Sequence, residues 1–520
     1  MLNLIFSIFT DDRIYQENTD TLDLFIVFKK QTIINSHSTL TNYQKIILFK
    51  NINYSYENDF ISKLTKRIKI YEVDSFWSIN AIRIKVARND FNVLLNYGSE
   101  IERIYLNKNN FRIHKNSENY INNTVWNIYR IKADSVWLLY DIGGRNVVIG
   151  HIDTGIDDNH PALYGKVVRE YWKDLINNVN TPYDDNGHGT HTAGIIAGGD
   201  GIGPFSPDIG VAPYSKIISC KAFDKYGTAT FRDVINCIEY FAELKIYKNV
   251  NIRIASNSWG DGHGNTELWI PILNAWRNND IIPIFAIGNS FCSSYQSTTS
   301  SPGDYPIVIG VGSTNILDQL STFSSCGPAP NTYPFNDFAY WPRSDWNYIK
   351  PDLVAPGEGI LSSVPNGYAV YSGTSMATPH VAGVIALMLE KNPYLDFYQI
   401  YYILTNYGTI QPENCSAYRL YPNNECGWGR VDAKLAVDAV NDSRELSFEI
   451  RIKGNVLVIL SLNSERSKIK LYNSNGSIIF DKVFILKKGA NIIYLPKKKG
   501  IYVLIVETSS IKIKKKILIF

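Results

Sequence analysis

The sequence has no apolar run long enough to span a membrane, and its charges are nearly balanced. Its 520 residues include 52 basic and 49 acidic side chains, which leaves a formal net charge of only +3. A protein that binds nucleic acid or an anionic membrane through charge usually carries a large basic excess. We therefore expect no transmembrane segment and no nucleic-acid partner.

Signals for a catalytic metal are also scarce. The chain has six cysteines and eight histidines, but it lacks an HExxH sequence and the Cys/His spacing of a zinc site. His188 and His191 stand three residues apart, and no further ligand near them completes a site. The sequence favours chemistry that needs no cofactor.

The most informative segment is Ser372–His380, SGTSMATPH, which singles out Ser375. A serine hydroxyl is a weak nucleophile near neutral pH, so it needs a base, an orienting acid and donors for a developing oxyanion. The apolar run Val381–Leu389 predicts a buried helix with Ser375 at its N-terminus, where free N–H groups face a negative charge. Pro379 is then expected in the first turn, where its missing N–H costs little.

Two upstream segments offer an acid and a base. Asn146–Asp153, NVVIGHID, is apolar and β-branched, which predicts a buried strand with Asp153 at its C-terminal end. Gly187–Gly194, GHGTHTAG, predicts the start of a helix at His188. Alone, such an aspartate or histidine is more often a solvated loop residue or a core residue. Together, the three glycine-rich segments favour a catalytic triad.

In chain order, the segments DTGID, GHGTHTAG, SNSWG, AIGN and GTSMATPH resemble the subtilisin-like serine proteases, or subtilases, over about Trp126–Val440. The segments FSSCGP, KPDLVAPG and GWGRVDA are most similar to the bacillopeptidase F branch. The resemblance implies an α/β catalytic domain, residues 116–442, with a doubly wound parallel sheet and a site at the C-terminal ends of its strands.

The resemblance implies a role for each matching residue. Ser375 attacks the scissile carbonyl, His188 takes its proton and returns it to the leaving amine, and Asp153 orients the imidazole. Asn289 donates to the oxyanion beside the N–H of Ser375. His191 and His160 match structural positions.

The resemblance also implies how a substrate binds. An extended peptide adds as a strand between residues 226–229 and residues 258–260, and residues 286–288 form a further wall of the S1 pocket. The expected substrate-binding residues are Tyr226, Gly227, Thr228, Ser258, Trp259, Gly260, Ala286, Ile287, Gly288 and, on the pocket floor, Ser300. Because Ser300 is neutral and Asp304 lies past the Pro302 turn, we expect small to medium or apolar P1 residues.

Structural calcium stays unassigned. Many subtilases bind the ion partly through an acid just after an HP pair, where this chain has Ala162. Asp184 and Asp185 before the helix, and Asp200 and Asp208 after it, are either cation ligands or solvated loop acids.

All six cysteines lie within the region of resemblance. An even number in a secreted protein favours disulfides, although six cysteines allow many pairings. We expect Cys220–Cys237, Cys292–Cys326 and, above all, Cys415–Cys426, which brackets a short polar loop. Free thiols in a reducing compartment are the alternative.

Residues 21–115 predict an α+β unit. The predicted elements are strand Thr21–Phe28, helix within Asn42–Lys66, strands Ile68–Val73 and Ala81–Val86, helix Arg88–Leu95 and strand Ile101–Asn107. This ferredoxin-like order resembles the subtilase prosegment, which assists folding and acts as an intramolecular inhibitor until it is removed. An unrelated α/β domain is the alternative. We expect cleavage between about Arg112 and Thr124, and residues 1–20 resemble only a weak or truncated signal segment.

Residues 447–520 predict an all-β sandwich. The alternating runs are Val456–Leu462, Lys468–Tyr472, Asn491–Leu495 and Ile501–Glu507. Their order, with the basic end KIKKKILIF, resembles the C-terminal sorting domain of type IX secretion cargo and implies the secretion machinery as a partner. The lysines alternatively protect a sheet edge.

The sequence thus predicts a secreted or cell-surface serine endopeptidase of broad specificity that cuts proteins or peptides through an acyl-enzyme on Ser375. A catalytically silent surface binding protein on the same fold is the alternative, and an esterase or amidase is a lesser one. The aromatic insertion 329–349 either extends the substrate surface or packs on its own domain.

Overall fold

The computed structural model shows three consecutive units along the chain. It describes residues 8–29, 42–113, 116–117, 125–202, 207–262, 268–292, 297–337, 340–343, 348–413, 415, 420–440, 448–453, 456–461, 465–473, 475–487, 489–495, 500–507 and 512–519. Among the helices within these ranges, none combines the length and the apolar character that crossing a membrane requires.

The N-terminal unit is a five-stranded sheet with a long helix. The strand order is Phe9–Thr10, Ile101–Leu106, Thr21–Phe28, Ala81–Ala87 and Ile70–Phe76. The helices are Arg13–Gln16, Asn42–Leu64 and Phe91–Leu94, with 3-10 turns at Arg88–Asp90 and Leu95–Tyr97. Successive strand residues face opposite sides, so Leu24 packs into this unit's own core while Phe25 packs into the core of the second unit.

The second unit is built on a nine-stranded sheet. The strand order is Thr409–Ile410, Arg430–Val431, Leu353–Pro356, Ile309–Thr314, Ile282–Ala286, Ile252–Asn257, Val148–Asp153, Lys216–Lys221 and Lys173–Asp174. All neighbouring strands are parallel except the first pair. The carboxyl ends of parallel strands lie at one edge of the sheet, and the polar side chains of the site lie at that edge.

Helices cover both faces of the sheet, as a doubly wound fold requires. They are Trp126–Arg130, Ala133–Tyr140, His188–Ala197, Phe231–Tyr247, Trp269–Arg277, Thr374–Lys391, Phe397–Asn406 and Ala433–Ala439, with 3-10 turns at Pro161–Leu163 and Arg169–Tyr171. Adjacent residues in one strand belong to different cores: Ile217 lies in the core that includes residues of the helix Thr374–Lys391, and Ile218 lies in the core that includes residues of the helix Phe231–Tyr247. The α/β fold with a parallel sheet is therefore confirmed.

Two small sheets flank the carboxyl edge. One orders the strands Thr228–Thr230, Asn109–Ile113, Trp259–Gly262 and Ser300–Ser301, and the other orders Ile360–Val364, Gly367–Ser372 and Asn116–Ser117. Each contains a strand from the segment that follows the N-terminal unit. That segment therefore crosses the carboxyl edge of the large sheet.

The insertion 329–349 packs on its own domain. Phe335 and Trp341 are buried in the core, where the indole N–H of Trp341 donates to the carbonyl of Phe335 at 2.7 Å. Phe335 also contacts Tyr305, with ring centroids 4.7 Å apart. Residues 338–339 and 344–347 lie outside the described residues.

The C-terminal unit has two antiparallel sheets around a small apolar core. One sheet orders Phe448–Lys453, Val456–Ser461 and Gly489–Tyr494, and the other orders Ile478–Leu486, Glu465–Asn473, Gly500–Glu507 and Lys512–Ile519. The core contains Leu457, Leu471 and Leu504. Three of the seven strands, Phe448–Lys453, Ile478–Leu486 and Lys512–Ile519, do not appear among the alternating runs of the sequence.

Buried polar contacts join the N-terminal unit to the helix Phe231–Tyr247. A carboxylate oxygen of Glu239 accepts hydrogen bonds from the backbone N–H of Ser78 at 2.9 Å and from its hydroxyl at 2.6 Å. Arg232 of the same helix pairs with Asp74 at 2.8 Å. Burial raises the pKa of Glu239 to about 8, and it does the same for Glu57 of the N-terminal unit.

These raised pKa values predict that the contacts between the N-terminal unit and the helix Phe231–Tyr247 are less stable at alkaline pH. A raised carboxyl pKa means that the folded chain binds this proton more tightly than the unfolded chain does. This contribution to the stability of the folded chain is complete at acidic pH and is lost as the pH rises through about 8. In a Ser375→Ala chain, which lacks the expected nucleophile, calorimetry should show the thermal midpoint falling by several degrees between pH 6 and pH 9.

Glu239→Gln should reduce this fall, because the amide keeps an acceptor for Ser78 but does not ionise. The control is Glu413→Gln, which replaces an exposed carboxylate of the second unit. An equal pH dependence in all three chains would contradict the role of Glu239.

Candidate active site

Three side chains from separate elements converge at the carboxyl edge of the large sheet. Asp153 ends the strand Val148–Asp153, His188 begins the helix His188–Ala197 (the His188 helix), and Ser375 is the second residue of the helix Thr374–Lys391 (the Ser375 helix). Nδ1 of His188 lies 2.6 Å from Oδ1 of Asp153, and all three side chains are buried. The structure thus pairs the predicted acid with the predicted base, and it places the predicted nucleophile at the same edge of the sheet.

Hydrogen-bond donors surround Asp153. Oδ1 also accepts the N–H of Thr154 at 2.7 Å, and Oδ2 accepts the hydroxyl of Thr192 at 3.2 Å. Burial raises the pKa of Asp153, but the charge and hydrogen bond of His188, with smaller contributions from His151 and Thr154, lower it below its ordinary value overall. Asp153 is therefore an ionised carboxylate in a buried site.

Ser375 and Ser258 exchange two hydrogen bonds. The hydroxyl of Ser375 donates to the carbonyl of Ser258 at 2.8 Å, and the hydroxyl of Ser258 donates to the carbonyl of Ser375 at 2.8 Å. Nε2 of His188 has no hydrogen-bond partner among the described residues. The imidazole therefore keeps one nitrogen ready to accept a proton.

The predicted position of Pro379 was wrong. The Ser375 helix begins at Thr374, so Pro379 lies inside the helix rather than in its first turn. Proline has no N–H to donate to the carbonyl four residues earlier, which is that of Ser375. This carbonyl is free to accept the hydroxyl of Ser258 instead.

Asn289 lies next to Ser375 with its amide orientation fixed. Its Oδ1 accepts the N–H of Thr374 at 2.9 Å and the hydroxyl of Thr374 at 2.8 Å. Its Nδ2 is buried and has no partner among the described residues. A buried amide donor without a partner costs free energy unless a ligand or water satisfies it.

The strand Asn109–Ile113, here called the cleft strand, lies between the two segments expected to bind substrate. Arg112 pairs antiparallel with both Thr228 and Gly260, and the N–H of Ile113 donates to the carbonyl of Gly227 at 3.2 Å. This chain therefore fills the groove between residues 226–229 and residues 258–260 with its own backbone.

An aromatic pocket receives Phe111 of the cleft strand. Its ring, which is fully buried, lies 5.6 Å from Trp259, 5.7 Å from Trp269 and 5.9 Å from Phe231, measured between ring centroids. Burial of a side chain of this size contributes about 1.5–3 kcal/mol. Tyr226, by contrast, is largely exposed at the edge of the groove.

The expected S1 residues adjoin one another. The N–H of Ser300 donates to the carbonyl of Ile287 at 2.7 Å, and its hydroxyl donates to the carbonyl of Asp261. Gly288 has positive φ, and a Cβ there would lie 3.0 Å from that of Ser300. Ala286 ends the strand before them.

The acid four residues after Ser300 is engaged by neighbouring hydroxyls. Asp304 is fully buried, and its carboxylate accepts the hydroxyls of Thr299 at 3.2 Å and Ser301 at 2.9 Å. These two hydrogen bonds hold the carboxylate within its own turn.

The structure forms the three expected disulfides. They are Cys220–Cys237, Cys292–Cys326 and Cys415–Cys426. Cys292 follows Asn289 by three residues, so its disulfide ties the segment after Asn289 to the segment that contains Ser325. The hydroxyl of Ser325 in turn accepts the N–H of Ser290 at 3.0 Å.

His191 and His160 have structural partners. Nε2 of His191 lies 3.1 Å from the carbonyls of both Ile360 and Ala369, and its ring stacks on Tyr371. His160 accepts the N–H of Ala162 through Nδ1 at 3.1 Å.

The four acids considered for calcium have protein partners as well. Asp184 accepts hydrogen bonds from residues at the start of the His188 helix, including the hydroxyl of Thr190 at 2.7 Å. Asp185 pairs with Lys221 at 2.6 Å, and Asp208 accepts the N–H of Asp200 at 3.0 Å. No group of three or more His, Cys, Asp or Glu side chains suited to a metal occurs in the described part of the chain.

His151 is a buried residue near the triad that the motifs did not single out. It precedes Asp153 by two positions in the same strand, so both side chains lie on one face. Its Nε2 is 2.8 Å from the hydroxyl of Thr192, which itself reaches Asp153. The sequence feature that could have identified His151 is its position as a lone histidine, two residues before Asp153, in an otherwise apolar strand.

Comparison with known proteins agrees with this geometry. The model of the subtilase family matches residues 144–429. Bacillopeptidase F of Bacillus subtilis (strain 168) is 32% identical over 405 residues, 71% of this chain and 26% of that protein. Subtilisin of Bacillus pumilus is 35% identical over 252 residues, 48% of this chain and 79% of that protein. Thermitase of Thermoactinomyces vulgaris is 34% identical over 264 residues, 50% of this chain and 81% of that protein. The chain thus spans about a quarter of the length of bacillopeptidase F.

Proposed function

Because the chain belongs to the subtilase family of serine endopeptidases, we propose that it hydrolyses peptide bonds of protein substrates through an acyl-enzyme on Ser375. The observation that carries the proposal is the convergence of Asp153, His188 and Ser375 in a buried site, with Nε2 of His188 unpartnered. A base with a free nitrogen, oriented by a carboxylate, is what a serine nucleophile requires.

The proposed reaction has two stages. In the first, Oγ of Ser375 bonds to the scissile carbonyl carbon as its proton passes to Nε2 of His188, which then protonates the leaving amine as the C–N bond breaks. In the second, water attacks the ester carbonyl as His188 takes its proton, and His188 then protonates Oγ of Ser375 as the ester C–O bond breaks and the acid product leaves. Asp153 keeps Nδ1 of His188 protonated and stabilises the imidazolium throughout.

Asn289 is proposed as an oxyanion donor. Its Oδ1 is held by Thr374, so the remaining Nδ2–H groups are left for a ligand. The N–H of Ser375, near the start of its helix, is the second donor. Both donors are fixed before a substrate arrives, so little reorganisation is needed when the negative charge develops.

The Asn289 proposal predicts a loss in kcat rather than in binding. Asn289→Leu should lower kcat by about 10²- to 10³-fold, the size of effect known for removal of the equivalent donor in subtilisin, and should leave KM nearly unchanged. The control is Asn406→Leu, on an exposed helix end. Steady-state kinetics on a peptide substrate give both constants, and a loss confined to KM would contradict the role.

The proposed specificity is broad, with small to medium or apolar P1 residues. Ser300, the proposed pocket floor, presents a hydroxyl rather than a carboxylate, and the carboxylate of Asp304 accepts the hydroxyls of Thr299 and Ser301. The groove binds backbone along its length and has an aromatic pocket where Phe111 lies. We propose that extended substrates occupy this groove as the cleft strand does.

The N-terminal unit is proposed to be the prosegment and the intramolecular inhibitor. It docks through a shared apolar core and through Glu239, and the cleft strand that follows it fills the substrate groove. We propose cleavage between about Arg112 and Thr124, a span that falls largely outside the described residues. Removal of the cleft strand opens the groove to substrate.

We further propose that the protein is secreted or displayed at the cell surface. Three disulfides suit an oxidising compartment. The C-terminal unit has the strand-rich character expected of a sorting domain, and we propose that it engages a type IX secretion system. Calcium is left without an assigned site.

A fluorophosphonate probe tests the proposed nucleophile. We expect the mature protein to take up one probe, on the peptide that contains Ser375, and the Ser375→Ala chain to take up none, as read by mass spectrometry. Cleavage of a peptide library by the same preparation should reveal the P1 preference. Absence of labelling in the mature wild-type protein would show a catalytically silent protein instead, and equal labelling of Ser375→Ala would overturn the assignment of Ser375 as the nucleophile.

A further inference from the structure

A chain of hydrogen bonds runs from a second histidine to the catalytic acid. Nε2 of His151 lies 2.8 Å from the hydroxyl oxygen of Thr192, and this hydroxyl lies 3.2 Å from Oδ2 of Asp153. Nδ1 of His151 lies 3.2 Å from the hydroxyl of Ser219. All four side chains are buried, with His151 1% exposed and the other three 0% exposed.

The fold fixes each member of this chain. His151 and Asp153 share one face of the strand Val148–Asp153, and Ser219 lies directly opposite His151 on the neighbouring parallel strand. Thr192 lies one turn after His188 on the His188 helix, so His188 and Thr192 present neighbouring side chains. The helix thereby contacts both carboxylate oxygens of Asp153, through His188 at Oδ1 and Thr192 at Oδ2.

The direction of each hydrogen bond follows from the ionised carboxylate. Asp153 can only accept, so the O–H of Thr192 donates to Oδ2. The carbonyl of Gly189, 3.1 Å from the same hydroxyl, competes for that proton, but a charged acceptor makes the stronger bond. The oxygen of Thr192 is then left to accept from Nε2–H of His151, and Ser219 donates to Nδ1.

His151 is neutral in this arrangement. Burial lowers its pKa, and the charge of His188 acts in the same direction, whereas Asp153 and Asp184 oppose them. A neutral imidazole has one N–H, and Thr192 is its acceptor. Nε2 is 3.6 Å from Oδ2 of Asp153, too far for a direct hydrogen bond.

We propose that His151 is a positioning residue of the triad, which holds the hydroxyl of Thr192 on Oδ2 of Asp153 and so keeps Oδ1 directed at His188. Without the N–H of His151, the hydroxyl of Thr192 can turn fully to Gly189. Oδ2 then loses its one hydroxyl donor among the described residues. This inference rests on the proposed function, because it assigns Asp153 its role in catalysis.

The test compares the variants by their activity per fluorophosphonate-labelled active site. This normalisation corrects for any unfolded chain. Thr192→Val removes the hydroxyl at nearly constant volume and should lower kcat by about tenfold, the effect expected for loss of one hydrogen bond to a charged group. KM should stay within about twofold, because the substrate groove is not touched. Thr192→Ser keeps the hydroxyl and should restore kcat.

The pH profile separates positioning from mere packing. The dipole of the Thr192 hydroxyl favours the unprotonated triad over the protonated one. In Thr192→Val the acid midpoint of kcat/KM should therefore move to higher pH. The matched control is Thr405→Val, which removes another buried helical hydroxyl, one that donates to the carbonyl of Tyr401 in the separate helix Phe397–Asn406. It should change neither kcat nor the midpoint.

A double-mutant cycle tests whether His151 acts through Thr192. His151→Phe should shift the midpoint in the same direction, and combining it with Thr192→Val should add little to the single Thr192→Val effect. If Thr192→Val does not fold, His151→Phe alone should still show the shift of the acid midpoint to higher pH.

Each contrary result has its own meaning. Unchanged kcat and midpoint in Thr192→Val, or fully additive effects in the cycle, would overturn the role of His151 while the wild-type enzyme stays active. Absence of labelling and turnover in the wild type would overturn the proposed function itself, and this inference with it.

Discussion

The close approach of the His188 helix to the end of the strand Val148–Asp153 is the constraint on which the site depends. The 2.6 Å contact between His188 and Asp153 exists only because backbone packs on backbone there. A Cβ on Gly189 would lie 2.0 Å from the carbonyl oxygen of Gly155, and a Cβ on Gly155 would lie 2.0 Å from the carbonyl oxygen of Tyr183. Glycine at both positions therefore sets the distance across which acid and base meet, and φ of +119° at Gly155 gives a second reason for glycine there.

The remaining parts of the site are placed relative to this contact. The neighbouring strands bring Ser258 and Asn289 to the same edge, and the Ser375 helix is held by the exchange of hydrogen bonds between Ser258 and Ser375. Pro379 makes that exchange available by freeing a carbonyl. The groove beside the site then accepts an extended backbone, which in this chain is its own cleft strand. Nucleophile, base and groove thus depend on one arrangement of parallel strand ends.

Much of this arrangement can be predicted from the sequence, because the triad residues lie in glycine-rich segments at the ends of recognisable apolar runs. The helix starts at His188 and near Ser375 follow from local patterns, and the parallel α/β fold follows from the family resemblance that these segments carry. The disulfides follow from the even cysteine count and the implied fold. The role of Pro379 could not be predicted, since it depends on Ser258, more than a hundred residues away. The partners of His151 come from two other elements, so its position in the strand alone could not identify them. The cleft strand is absent from the elements predicted for residues 21–115, because its pairing is with distant residues.

The central claim is that an active serine endopeptidase holds its own cleft strand in the substrate groove. The most direct test is the intact mass of freshly purified full-length chain over time, for the wild type and for Ser375→Ala at several concentrations. We expect the wild type to cut itself at a bond between about Arg112 and Thr124, at a rate independent of concentration, and Ser375→Ala to stay whole. A wild-type chain that hydrolyses peptides while its residues before Arg112 remain covalently attached would contradict it.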